Sequence, residues 1–526
     1  MSFYIILLQC LLILLLTYFY FKRRYYTKLH VTIPGYEPEF LIGSIRKVGL
    51  LKGLSLWDAF RNQQEKFGDL CQMWLGAWSY TVFCRPEDAE YILSTNRKNY
   101  ENTRATEEQF ELLFPTAVII QRGLDHKRIS RIILPLLRKY RIVPYMNNII
   151  EQTDKNLNVW KKIYGRSESE KINRNIIKDY SSLAMEIIGI IAFDHNFKLI
   201  NKPLESASEK IDQKNMTLGV ATANLIQAVT DMILTPLPGF LKRLKLILFS
   251  STHKRSLTFL HNYINHIIEE YHDKQKITSL SVEDESKPAI RQNLLSMLLS
   301  SLKEEDTDQR EQGITKQELI DNLALLIFAG YETTATVLSW FTYFVSKRPE
   351  VQQKMKDEIR IHCGSAPLTT ENIQKLGYVD CVLKETLRLA PTAVAVSRQL
   401  PVDDTINGIS MRKGENVMIA IACLHTDPRN WKLNPNEFLP ERFYGSDAPD
   451  SKHHPYALLP FGGGPHACAG QDLARLELKL IMIRLMQSVT FLDASGNNGG
   501  HIQHLTVIPK SVAVYNLMIR KTDCFD

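Results

Sequence analysis

This chain is organised around one glycine-rich segment, Phe461-Gly462-Gly463-Gly464-Pro465-His466-Ala467-Cys468-Ala469-Gly470. A single cysteine, Cys468, ends the turn, and the residues from Gln471 onward have the composition of a helix. The positive end of a helix dipole and its unpaired N–H groups favour a thiolate, which predicts a lowered pKa for Cys468. The glycines permit a tight turn and the close approach of a flat ligand. The alternative for a lone buried cysteine is a small apolar core residue.

The segment resembles the haem-binding loop of the cytochrome P-450 family, whose pattern is Phe-x-x-Gly-x-Arg-x-Cys-x-Gly. Phe461, Gly464, Cys468 and Gly470 match that pattern. His466 stands in the arginine position, where the sterol-demethylase branch also uses histidine. The resemblance implies that Cys468 is the axial ligand of haem iron, with Phe461 and His466 also at the haem. A histidine there is fully charged only where an anionic propionate raises its pKa.

A long apolar helix carries the second motif. Thr315-Lys316-Gln317-Glu318 is a capping box, and the apolar pattern predicts a helix from Glu318 to about Ser346 that crosses the interior. Its middle reads Ala329-Gly330-Tyr331-Glu332-Thr333-Thr334. Ala329 and Gly330 leave room for a flat cofactor, and Thr333 is able to hydrogen-bond a carbonyl one turn earlier. The alternative is a core helix with an incidental Glu-Thr pair, but a carboxylate buried without purpose is costly.

That segment matches the family signature Ala-Gly-x-Asp/Glu-Thr-Thr. The resemblance implies that Glu332 and Thr333, with water, deliver the protons needed to cleave dioxygen. Cys468 would donate electron density from the opposite side. Ala329 would border the substrate.

Shorter motifs follow in the order typical of the family. Glu385 and Arg388 lie three residues apart on one predicted helix face, and Arg442 lies in the later segment Pro440-Glu441-Arg442-Phe443. The resemblance implies that Glu385, Arg388 and Arg442 form a structural ion-pair triad. Arg398, at the end of a strand-like segment, would bind a haem propionate.

The family's third helix resembles the segment 123–135, where a Trp-x-x-x-Arg pair normally holds a propionate. Here His126 stands in the tryptophan position, Ser130 in the arginine position, and Arg131 one residue later. We therefore expect an altered propionate anchor that involves His126 and Arg131.

The resemblance also implies a set of substrate-pocket residues. Val394 and Val396 would line the pocket from the strand-like segment. Phe110 and Phe114 lie in an irregular stretch where the family has a substrate-facing loop. For these two phenylalanines, pocket lining and core filling remain equal alternatives.

The first residues predict a membrane anchor. Residues 3–21 carry no charge, and at about 1.5 Å per residue they span about 28 Å, close to the hydrocarbon thickness of a bilayer. Lys22, Arg23 and Arg24 follow directly, which predicts a luminal amino terminus. A cleaved signal peptide is the alternative, but the end of the apolar run offers no small residues for cleavage. We expect an anchor over 1–28, a proline-containing hinge over 29–40 and a catalytic domain over 41–526.

Composition narrows the remaining classes. The 526 residues are 44% hydrophobic and carry a net charge of +7, which suits an anionic membrane surface or an acidic protein partner. No long basic run or known binding motif suggests nucleic acid. The eight cysteines are scattered without a Cys-x-x-Cys pair, which favours a reducing compartment over a disulfide framework or zinc fingers.

These observations predict a mainly α fold with small β-sheets, the cytochrome P-450 fold, preceded by one transmembrane helix. The resemblance implies a monooxygenase that uses haem b and O2 to hydroxylate or epoxidise a lipophilic substrate. Electrons would come from NADPH through an FAD/FMN reductase, with cytochrome b5 as a second candidate donor, at the cytoplasmic face of the endoplasmic reticulum membrane. Two alternatives are an O2-independent peroxide isomerase or dehydratase, and a non-catalytic haem sensor or carrier. The sequence names no substrate.

Overall fold

The structure is a computed structural model. It describes residues 2–28, 32–40, 42–164, 176–200, 216–234, 251–280, 294–302, 313–493, 500–503, 505–509 and 516–519.

Helices dominate the described chain. The α-helices are Ser2–Lys28 (α1), Leu56–Phe67 (α2), Pro86–Glu90 (α3), Arg104–Phe110 (α4), Gly123–Ile133 (α5), Lys139–Ile142 (α6), Met146–Tyr164 (α7), Ile176–Phe193 (α8), Leu218–Leu234 (α9), Ser251–Leu280 (α10), Leu294–Leu299 (α11), Lys316–Ser346 (α12), Pro349–His362 (α13), Thr370–Gln374 (α14), Gly377–Leu389 (α15), Ile421–Thr426 (α16) and Gln471–Ser488 (α17).

The central helix α12 has a well-defined start. The Glu318 N–H donates to Thr315 Oγ1 at 3.1 Å, and the Thr315 N–H donates to the Glu318 carboxylate at 2.8 Å, which confirms the predicted capping box. The helix ends at Ser346, just before Pro349 begins α13. It packs most extensively against α8 and also contacts α15 and α17. The middle of the largest hydrophobic core is therefore built around α12.

The strands form small sheets. They are Leu70–Leu75 (β1), Trp78–Phe83 (β2), Val396–Gln399 (β3), Asp404–Ile406 (β4), Ile409–Met411 (β5), Asn416–Ile419 (β6), Val489–Leu492 (β7), His501–Gln503 (β8), Val507–Pro509 (β9) and Asn516–Ile519 (β10). One sheet has the order β1-β2-β6-β3, in which β6 runs parallel to β2 and the other neighbours are antiparallel. The strand-like segment predicted around Val394, Val396 and Arg398 corresponds to β3. The predicted mainly α fold with small sheets is confirmed.

The amino-terminal helix α1 exposes apolar side chains along most of its length, from Tyr4 to Tyr20. Near its end, Phe21 is buried against the rings of Phe40 and Trp74. Among the helices whose residues are all described, α12 is long and apolar enough to cross a membrane, but two-thirds of that apolar stretch is buried inside the protein. It is therefore a core helix.

Candidate active site

A hydrogen-bonded loop presents Cys468. Its N–H donates to the carbonyl oxygen of Phe461 at 2.9 Å and closes the glycine-rich turn. Gly464 has a φ of +71°, and a Cβ at this position would collide with the carbonyl oxygen of Leu93. Both facts require glycine at 464. Helix α17 then begins at Gln471, three residues after the thiol.

The Cys468 thiol is accessible although protein surrounds it. Burial raises its pKa, and the Gly470 N–H opposes that shift without overcoming it. The predicted lowering of this pKa is therefore wrong for the chain by itself. The sequence shows the helix terminus but not the desolvation, which is the larger effect here.

Helix α12 is mostly buried, but Ala329 in its middle is exposed. Thr333 Oγ1 donates to the Ala329 carbonyl at 2.9 Å, the predicted bond to the preceding turn. Gly330 has a different role from the predicted one: a Cβ there would lie 2.7 Å from Ile188 Cδ1. Gly330 thus permits close packing of α8 on α12, while the adjacent Ala329 is exposed.

Two buried carboxyl groups lie in this region. Burial raises the pKa of Glu332 to about 7, while hydrogen bonds from Thr506 act in the opposite direction. Burial raises the pKa of Glu477 to about 8, opposed by a hydrogen bond from Thr334 at 3.4 Å. Because Thr334 belongs to α12 and Glu477 to α17, this contact holds the helix that follows Cys468 against the central helix.

Arg398 is a buried cation without an acidic partner. Its side chain is 7% exposed, and its hydrogen bond runs to the carbonyl oxygen of the adjacent Ser397 at 2.8 Å. No carboxylate lies within ion-pair distance of it among the described residues. Burial lowers its pKa to about 10, which leaves the guanidinium charged near neutral pH. A buried unpaired guanidinium requires an anion to offset its desolvation.

The two histidines that depart from the family patterns meet in space. The ring centroids of His126 and His466 are 4.9 Å apart, and Ser130 Oγ lies 3.3 Å from His126 Nε2. Both rings and Arg131 line one cavity of about 640 Å³. Burial, Arg398 and His126 together lower the pKa of His466 to about 4. In the protein alone this imidazole is therefore neutral near pH 7.

Comparison with known proteins gives one family. The family model described as Cytochrome P450 matches residues 33–514. Cytochrome P450 3A5 of Homo sapiens is 28% identical over 485 residues, which cover 89% of this chain and 88% of that protein. Cytochrome P450 3A11 of Mus musculus is 27% identical over 481 residues, with 89% and 88% covered.

The chain belongs to the cytochrome P450 family. It is a haem-thiolate monooxygenase of the eukaryotic type, and the family implies the use of haem and O2. The residues of this P450 fit a haem. Cys468 offers an accessible sulfur inside the protein, and the unpaired Arg398 suits an anionic propionate.

The predicted triad of this P450 is assembled and fully buried. The Glu385 carboxylate pairs with the Arg388 guanidinium at 2.7 Å and with the Arg442 guanidinium at 2.9 Å. Sequence reasoning missed a fourth member, Asp450, which pairs with Arg442 at 2.7 Å. His425 completes the cluster: its Nδ1 lies 2.9 Å from the Arg388 carbonyl, and its Nε2 accepts from the Leu459 N–H at 2.8 Å. The cluster thus ties α15 to the segment that precedes the cysteine loop.

The predicted pocket residues of the P450 differ in exposure. Phe114 and Val394 are buried, whereas Phe110 and Val396 keep accessible surface. Phe110 and Phe114 both contact the ring of Phe328, at centroid distances of 6.2 and 5.4 Å. Core packing therefore accounts for the surroundings of Phe114.

Sequence reasoning also missed Thr506 and Glu477. Thr506 contacts Glu332 across 174 residues of chain, so no local motif contains both. Glu477 lies on the helix after Cys468, and no motif marks it. The nearest signal was its place in an otherwise apolar helix face.

Proposed function

We propose that this protein is a membrane-anchored monooxygenase that inserts one oxygen atom from O2 into a lipophilic substrate. Its electrons come from NADPH through an FAD/FMN reductase. The observation that carries the proposal is the accessible thiol of Cys468, enclosed by protein and accompanied by the buried, unpaired Arg398.

The chain's own residues divide the work of holding a haem b. Cys468 would bind the iron through its sulfur, and Arg398, His126, Arg131 and His466 would hold the propionates. The Phe461 ring lies beneath the guanidinium of Arg475, with 4.7 Å between the ring centroid and Arg475 Cζ. Phe461 shields the thiolate side from water. The chemistry that a haem held by these residues would supply is the activation of O2 for insertion into an apolar C–H or C=C bond.

Glu332 and Thr333 supply protons. The raised pKa of Glu332, about 7, allows the carboxyl group to hold a proton near neutral pH and to release it readily. Thr333 faces the same turn of α12 and positions water near Ala329.

The substrate is lipophilic. Ala329 and Val396 present accessible apolar surface, Phe110 is half-buried, and Val394 is buried. Apolar walls recognise a ligand by excluding it from water, with few polar contacts to select among candidates.

The electron donor is an acidic partner. Lys127, Arg138 and Lys139 are exposed and form no ion pair within the described residues, and the neighbouring Leu124 is 82% exposed. This mixture of cations and apolar surface suits NADPH–cytochrome P-450 reductase, with cytochrome b5 as a second donor.

We retain the domain division predicted from the sequence as part of the proposal. Residues 1–28 anchor the chain once across the endoplasmic reticulum membrane, 29–40 form the hinge, and 41–526 form the cytoplasmic catalytic domain. The exposed apolar side chains of α1 support this assignment.

The substitution Cys468→Ser tests the proposal. We expect the variant to lose the red-shifted absorption band of the reduced carbon monoxide complex, because the thiolate ligand is gone. Cys363→Ser, at a buried cysteine at the end of α13, is the control and should keep the band. Survival of the band in Cys468→Ser would refute the ligand assignment.

Dependence on NADPH and reductase separates the three activities. The monooxygenase needs both, a peroxide isomerase or dehydratase needs neither, and a sensor or carrier binds carbon monoxide without forming product. The presence of Glu332 and Thr333 favours the first.

A further inference from the structure

The segment that enters β9 contacts α12 through side chains on successive helical turns. Thr506 Oγ1 donates to Glu332 Oε1 at 3.0 Å and also lies 3.0 Å from Thr336 Oγ1. One residue later, the Val507 carbonyl accepts from Trp340 Nε1 at 2.8 Å. Because 332, 336 and 340 are four residues apart, they share one helix face. These contacts fix Thr506 relative to the carboxyl group.

The two oxygens of Glu332 have different surroundings. Oε1 accepts from Thr506, whereas Oε2 is buried without a hydrogen-bond partner among the described residues. A neutral carboxyl group carries its proton on one oxygen and accepts through the other. Donation to Oε1 therefore leaves Oε2 as the oxygen that carries the proton.

We propose that Thr506 is a positioning residue, whose hydroxyl holds Glu332 Oε1 and so keeps the exchangeable proton on Oε2. The inference rests on the proposed role of Glu332 in proton supply. When Glu332 releases its proton, the Oε2–H bond breaks, its electron pair stays on the carboxylate, and the proton passes to water. The Thr506 hydroxyl then stabilises the carboxylate until a solvent proton restores it.

Within the part of the chain that the structure describes, few titratable groups face Glu332. Its pKa of about 7 reflects burial, which raises it, and the side-chain and backbone hydrogen bonds of Thr506, which lower it. Tyr331 is its titratable neighbour on α12, and its own pKa is raised further by the charge of Glu332. Glu477 on α17 is linked to α12 by the hydrogen bond that it accepts from Thr334. No cation contributes among the described residues. The Thr506 hydroxyl contacts Glu332 and the non-titrating Thr336, so the pKa change on its removal is expected at Glu332.

Infrared titration of the haem-loaded protein tests the inference. The infrared spectrum of the wild-type carbon monoxide complex minus that of the Glu332→Gln complex identifies the carboxyl band of Glu332. This band is followed from about pH 5 to about pH 9. Thr506→Val and Thr506→Ala remove the donor and should raise the apparent pKa of that band by about one unit. Thr506→Ser keeps the hydroxyl and should restore the wild-type value. Ser339→Ala is the matched control, because within the described residues the hydrogen bond of the Ser339 hydroxyl runs to the Ala335 carbonyl of its own helix.

Peroxide release gives a second, functional measurement. In the presence of reductase, NADPH and O2, Thr506→Val should release about twofold or more peroxide per NADPH oxidised, and Thr506→Ser should not. The alkaline limb of this ratio should move to higher pH together with the infrared pKa.

The outcomes separate this inference from the proposed function. An unchanged infrared pKa in both Thr506→Val and Thr506→Ala overturns the positioning role of Thr506. A shifted infrared pKa with unchanged peroxide release supports the contact but refutes Glu332 as the proton source. The carbon monoxide band, measured in every variant, shows that each is folded around haem.

Discussion

Glu477 is a carboxylic acid at a position where ionisation is expensive. It is 1% exposed, its Oε1 has no hydrogen-bond partner among the described residues, and its Oε2 receives only the long bond from Thr334. Burial consequently raises its pKa from the ordinary 4.5 to about 8. The folded protein therefore favours the protonated form. Stability from this group is fully present below the unfolded pKa and is lost as pH rises through the folded value.

Glu477→Gln should flatten that dependence. We expect the unfolding free energy of the wild type to fall by a few kcal/mol between about pH 5 and about pH 8, since each pKa unit of difference is worth about 1.4 kcal/mol. The neutral amide cannot ionise, and its oxygen still accepts from Thr334. Glu332 has a raised pKa as well, so part of the decline should remain. Denaturant unfolding at several pH values measures the slope.

A surface glutamate provides the control for this experiment. Glu371 on α14 has a side chain that is 85% exposed and pairs loosely with Lys375 at 3.7 Å. Glu371→Gln should leave the pH profile unchanged. Parallel profiles for wild type and Glu477→Gln would mean that Glu477 is solvated or neutralised by a contact other than Thr334.

At the residue scale, the sequence located contacts within one motif, and the family resemblance supplied one contact between two motifs. The bond from Thr333 to the preceding turn follows from residues four apart, whereas the triad of Glu385, Arg388 and Arg442 was implied by the resemblance. Thr506 stayed hidden because its partner lies 174 residues away. The pKa of Cys468 was misjudged for the same physical reason: burial is a property of the whole fold.

The contact between α8 and α12 depends on Gly330. A Cβ there would meet Ile188 Cδ1 at 2.7 Å and Cγ1 at 2.9 Å, both closer than ordinary van der Waals contact. Glycine in a helix interior costs about 1 kcal/mol relative to alanine. Its presence is consistent with a steric need that outweighs that propensity.

A double-mutant cycle tests this explanation. Gly330→Ala should lower the unfolding free energy by about 1–3 kcal/mol through overpacking, despite the better helix propensity of alanine. Ile188→Ala, which removes both clashing atoms, should cost about 2–5 kcal/mol through its cavity. In the Ile188→Ala background, Gly330→Ala should be neutral or stabilising. Additive effects, measured by denaturant unfolding, would contradict the packing role.

At the element scale, starts and periodicity were predictable but partners were not. The capping box gave the start of α12, and the apolar run gave its end at Ser346. The sequence could not show which helix lies against Gly330, so the glycine was assigned to the cofactor. Only tertiary packing decides that question, because α8 is far from Gly330 in the sequence.

Across the whole molecule, the amino-terminal helix is joined to the globular part by side-chain contacts as well as by the chain. Phe21 packs on Phe40 at 5.7 Å and on Trp74 at 6.4 Å between ring centroids. The expected hinge is also attached, because the Gln72 N–H of β1 donates to the Pro34 carbonyl at 2.7 Å. Apolar composition predicted the helix, but only the fold shows that its end docks on the sheet.

Two phenylalanines on α1 allow the docking to be tested with a matched pair. Phe21 is 6% exposed, whereas Phe19, two residues away, is 56% exposed. Phe21→Ala should destabilise the catalytic domain by about 1–3 kcal/mol, because it removes a ring from the cover of Trp74. Phe19→Ala should leave domain stability unchanged. Denaturant unfolding in mild detergent, followed by the loss of the haem band, compares the two variants with a chain that lacks residues 1–28. That truncated chain should leave the membrane fraction and keep its haem spectrum. Its loss of unfolding free energy should be at least as large as that of Phe21→Ala. Equal stability of all four proteins would mean that the helix is a free tether, and loss of the haem spectrum on truncation would mean that the domain needs the helix to fold.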